Sequence, residues 1–76
     1  MPEQEEGLAG YPEGARIEWF GATSAKESDR WLPGVVTGTR VRGDDAIVFF
    51  RLDSEQRLRM PHELHWQYRD RIRQRR

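Results

Sequence analysis

Two histidines three residues apart, His62 and His65, flank Glu63 in the run His-Glu-Leu-His. They are the side chains best suited to acid–base or metal chemistry. A zinc-protease helix needs its histidines four apart so that both project from one face, and the spacing here is one short. A His-x-x-His pair beside an acid makes only a weak metal site, so exposed turn histidines are expected, with no metal and no other cofactor. Ser24, Ser28 and Ser54 have neither a base nor an oxyanion-forming turn beside them in sequence. Adjacent Asp44 and Asp45 diverge on a strand and suit a turn. Gly34, Gly38 and Gly43 lack the spacing and the following lysine of a phosphate loop. No catalytic constellation assembles, and the expectation is a non-enzymatic protein.

Binding chemistry is better represented. Arg40 and Arg42 lie in a polar link, Arg51, Arg57 and Arg59 suit one outer sheet face, and Arg69, Arg71, Arg73, Arg75 and Arg76 crowd the C-terminal end. Guanidinium groups grip phosphates through paired hydrogen bonds and stack on bases. Interleaved Trp66 and Tyr68 would help with single strands. Nucleic acid is therefore the first expected partner. The second is a protein or peptide: Trp19, Phe20, Trp31 and Phe49, flanked by Glu18, Glu27, Asp29 and Asp53, have the composition of a pocket for methylated lysine or arginine, held by cation–π attraction. The competing explanations are a salt-bridged solvated surface for the arginines and a completed small core for the aromatics.

Charge is unevenly spread although the 76 residues sum to zero. Residues 1–13 carry Glu3, Glu5, Glu6 and Glu13 without a base, whereas residues 65–76 carry five arginines against Asp70 alone. A basic end is a candidate polyanion contact. The length allows one domain near the lower limit for a self-supporting core, and the eight aromatics can each bury a large area in it. Without cysteine there is no disulfide framework, thiolate nucleophile or cysteine-bound zinc. No apolar run reaches the ~18 residues of a membrane span, and the acidic start is unlike a signal peptide. A cytoplasmic protein is expected, or a nuclear one in a eukaryote.

The elements that must position these groups centre on Arg30–Asp53. Two β-rich runs, Trp31–Thr37 and Ala46–Leu52, flank a link ending Gly43-Asp44-Asp45, which predicts a hairpin. Val48, Phe50 and Leu52 are expected inside because Arg51 lies on the other face. Gly14–Phe20 reads as the first strand, with Ile17 in the core, and 21–29 as a long polar loop. Pro33 and Gly34 mark a strand start, bulge or close backbone approach. After a turn at 53–56, Arg57–Met60 is expected as the fourth strand with Leu58 and Met60 inward. Pro61–Leu64 is expected as one helical turn, and His65–Arg69 as the fifth strand with Trp66 and Tyr68 on one face. A helix over 62–73 is the alternative. An exposed edge strand offers a route to a homodimer.

Five short strands, a long first loop and a helical turn before the last strand describe an all-β, five-stranded SH3-like barrel over 14–70. A disordered acidic arm (1–13) and a basic tail (71–76) would flank it. The residue order resembles Tudor-like domains at Gly14 and Ile17, at Trp31-Leu-Pro-Gly-Val-Val36, at Val48-Phe-Phe-Arg-Leu-Asp53 and at Met60-Pro61 to Leu64. That resemblance implies a binding module with an aromatic pocket. The acidic-aromatic-glycine turn usual after the third strand is replaced by Ser54-Glu55-Gln56. Trp31 to Gly38 also resembles a strand of type II dihydrofolate reductases. Their pore is built on Val-Gln-Ile-Tyr, and the matching run, Arg57-Leu58-Arg59-Met60, lacks that surface.

Overall fold

The computed structural model describes residues 8–55, 57 and 60–75. Among the described residues, alternating apolar positions produce five strands: β1 (Arg16–Gly21), β2 (Arg30–Arg42), β3 (Asp45–Leu52), β4 (His62–His65) and β5 (Ile72–Gln74). They form one antiparallel sheet in the order β4-β3-β2-β1-β5. No helix among the described residues is long and apolar enough to cross a membrane.

The central hairpin is longer than the sequence suggests. The supposed link belongs to β2, which continues to Arg42, and only Gly43 and Asp44 separate paired Arg42 and Asp45. Gly43 has φ +59° and Asp44 has no positive φ, the pattern of a two-residue II′ turn whose twist matches its strands. A register shift falls between Val36 and Gly38, past the Pro33-Gly34 site that the sequence marks.

Ile17, Val48, Phe50 and Leu52 are buried as expected, with Leu32, Val36, Ala46, Leu64, Trp66 and Ile72 completing the core. Gly34 faces the same interior, between Ile17 on β1 and Leu52 on β3. A Cβ there would lie 2.5 Å from the Arg51 carbonyl oxygen, a backbone atom that cannot swing aside. Gly34→Ala should therefore cost about 1–3 kcal/mol, the usual range for overpacking. A lower urea midpoint with an unchanged m-value would record it.

The last third of the chain departs from expectation by one element. Met60, expected inward, is 79% exposed, while Leu58 and Arg59 lie outside the described residues. The fourth strand forms at His62–His65, where the helical turn was expected, because this register seats Leu64 opposite Val48 in the core. The turn of 3-10 helix comes later, over Trp66–Arg71, replacing the expected fifth strand and the alternative helix over 62–73. Trp66 is buried at its start and Tyr68 is 53% exposed, so the two do not share a face. Residues 72–74, expected in the tail, form β5 against Ile17–Trp19. Residues 1–7 of the expected arm lie outside the described residues. Leu8 and Tyr11 pack on the core, and the Tyr11 ring meets Trp66 edge-on at 5.6 Å. Burial there pushes the Tyr11 phenol above its ordinary pKa.

Candidate binding face

Strand alternation and cross-strand register fix which side chains share the face away from the core. Paired positions run Arg16–Val35–Arg51 across β1, β2 and β3, and Arg73–Glu18–Pro33 across β5, β1 and β2. Phe20 pairs with Trp31; Gly38, Phe49 and Glu63 form another row, and Arg40, Ile47 and His65 the next. The β2 register shift keeps Arg40 and Arg42 on this outer face, which they would otherwise leave. Arg16, Arg40, Arg42, Arg51 and Arg73 thus share one surface with Phe20, Trp31 and Phe49. Among the described residues Glu18, Asp45 and Glu63 share it, and Asp53 lines the same side beside Val35 and Arg51.

One corner is highly organised. The Phe20 and Trp31 rings lie 5.3 Å apart, tilted by 56°. Arg73 reaches from β5 across β1, placing its guanidinium carbon 3.9 Å from the Trp31 ring centre and donating from Nε to Glu18 Oε1 at 2.8 Å. Arg71 stands 5.9 Å from the Phe20 ring centre, donates to the Phe20 carbonyl at 3.3 Å and lies 3.6 Å from Asp29. Exposed pairs of this kind are individually worth about 0–1 kcal/mol. Together they orient a guanidinium–aromatic stack. The same contacts fill the aromatic corner with the chain's own arginine.

The four aromatics expected to converge do not. Trp19 turns inward, 5.7 Å from Phe50, while Phe49 stands apart on the outer face with Arg40 5.8 Å from its ring centre. Glu27 accepts from Thr23, and Asp53 from Arg75 at 3.2 Å. Arg69 donates to the Trp66 carbonyl, Arg57 is exposed, and Arg59 and Arg76 lie outside the described residues. Arg16 was missed as a binding residue, although its position one before core Ile17 puts it on the outer face.

The histidines sit in a strand, not in an exposed turn, and i, i+3 spacing there sends them to opposite faces. His62 stacks on Trp19 and Phe50 at 5.4 and 5.3 Å and meets Glu55 at 2.6 Å. His65 faces out to Asp45 at 3.3 Å. Among the described residues no group of three metal-ligating side chains exists.

No family model, curated protein or solved structure matches this chain. The outer surface combines fixed positive charge, spaced by strand geometry at about 3.3 Å per residue, with aromatic faces.

Proposed function

We propose that the chain is a small SH3-like barrel that binds single-stranded nucleic acid along the outer face of its sheet. The observation that carries this reading is the register that gathers Arg16, Arg40, Arg42, Arg51 and Arg73 on one face with Phe20, Trp31 and Phe49. Guanidinium groups match phosphates, and aromatic rings accept unpaired bases whatever their sequence. The strand order, with a 3-10 turn between β4 and β5, suits the barrel that the Tudor-like resemblance implies.

Fluorescence anisotropy with a labelled oligo-dT 12-mer tests it. About four phosphate contacts at about 0.7 log units each predict a roughly fifty-fold loss of affinity between about 50 and 200 mM salt. Affinity that ignores salt, or no binding at all, overturns the reading. A second reading draws on the Trp31–Arg73 stack: the corner accepts a guanidinium, so a basic peptide displacing Arg73 would fit. Its binding would collapse on Trp31→Ala and change little with salt.

A further inference from the structure

A second recess lies where the hairpin turn meets the 3-10 turn. It is a cleft of about 440 Å³ walled by Arg42, Asp44 and Asp45 on one side and Gln67 and Arg69 on the other, with Ala46 and Trp66 also lining it. That size is within the range of small-molecule sites. Ala46 and Trp66 are 8% and 4% exposed and give it an apolar base. The Trp66 indole N–H is enclosed and has no acceptor among the described residues, whereas buried tryptophans usually find one. Arg69 is held by its bond to the Trp66 carbonyl at 3.3 Å, and Asp45 by His65 at 3.3 Å. Arg42 and Asp45 are also cross-strand partners on the outer face, so the cleft continues the surface proposed above.

We infer that this cleft is a base pocket selective for guanine, an inference that rests on the nucleic-acid reading. A polar rim bearing both carboxylates and guanidiniums over an apolar base suits a flat heterocycle with donors on one edge and acceptors on another. Guanine alone among the bases sets two adjacent donors, N1–H and the N2 amino group, where one carboxylate accepts both. Its O6 and N7 form the pair that an arginine grips bidentately. Adenine puts the acceptor N1 beside its amino group, which repels a carboxylate. Thymine and uracil place N3–H between two carbonyls, and cytosine offers only its amino group. Unpaired bases are commonly read on these edges. The outer face then holds a strand without regard to sequence, and the cleft selects one position in it.

The test compares the labelled dT 12-mer with the same oligonucleotide carrying one central dG. The full chain should bind the dG probe about tenfold more tightly, the scale of one good bidentate contact. The double variant Asp44→Asn/Asp45→Asn should lose that preference and bind the dT probe at least as tightly as the parent, because two charges that repel phosphate are gone. As a second readout, the Trp66 indole N–H resonance should move with the dG probe and hold still with dT. Equal affinity for the two probes, or a preference that survives in the variant, overturns the guanine pocket and leaves the outer-face reading standing. Failure to bind either probe overturns both.

Discussion

Replacing Arg16, Arg40 and Arg42 together by glutamine is expected to weaken oligo-dT binding about a hundredfold at about 0.1 M salt, and to flatten the salt slope by about two. Each replacement removes one candidate phosphate contact, and single strands return about 0.7 of a counterion per contact. The choice of residues follows from the contacts. All three are exposed, and none has an acidic partner within ion-pair distance among the described residues. Arg40 alone gives up a ring contact, with Phe49. Their loss should leave the melting temperature close to that of the parent, because isolated surface substitutions usually stay within about 0.5 kcal/mol. Using dT as probe keeps the Arg42 cleft out of the comparison, since thymine is not its ligand. Anisotropy titrations at several salt concentrations read both quantities. A slope equal to that of the parent would mean that phosphates do not touch these three arginines.

Part of this surface was legible in the chain and part was not. Period-two alternation assigned Val48, Phe50 and Leu52 to the interior because a charged residue, Arg51, broke the tie between two apolar faces. Ile17 was placed by the same logic. Alternation failed after Leu52 because Arg57-Leu-Arg-Met60 and His62-Glu-Leu-His65 carry equally good short patterns. What separated them was long-range, namely which leucine could lie opposite Val48. Once that register moved, the helical turn and the last strand moved with it. The face of Arg40 and Arg42 was also hidden, since the register shift between Val36 and Gly38 has no unmistakable sequence mark. Trp66 looked like a surface aromatic among arginines, and its burial against Tyr11 depends on residues 55 positions away. The aromatic pocket set Trp19 beside Trp31, although the alternation that buries Ile17 also turns Trp19 inward.

Ending the chain after Arg71 is expected to abolish cooperative folding, although the deleted residues look in sequence like a charged tail. Ile72 is 4% exposed and lies opposite Trp19, and losing a buried isoleucine typically costs about 2–5 kcal/mol. The deletion also removes the pairing of Ile72, Arg73 and Gln74 with β1, the Arg75 amide bond to the Arg16 carbonyl at 3.0 Å, and the Gln74 bond to the Gly10 carbonyl. Arg73 and Arg75 would no longer reach Glu18 and Asp53. A chain of this size has only about 4–11 kcal/mol of stability at the usual 0.05–0.15 kcal/mol per residue. Removing β5 would also bare the edge of β1, whose unpaired backbone groups invite association between chains. Thermal melting followed by circular dichroism should show no sharp transition for the shortened chain. A melt matching that of the full chain would mean that β5 contributes no stability. Loss of nucleic-acid binding in such a deletion would therefore report a lost fold before it reported lost phosphate contacts. That is why the basic end, the most conspicuous charge in the sequence, is a poorer place to test binding than Arg16, Arg40 and Arg42.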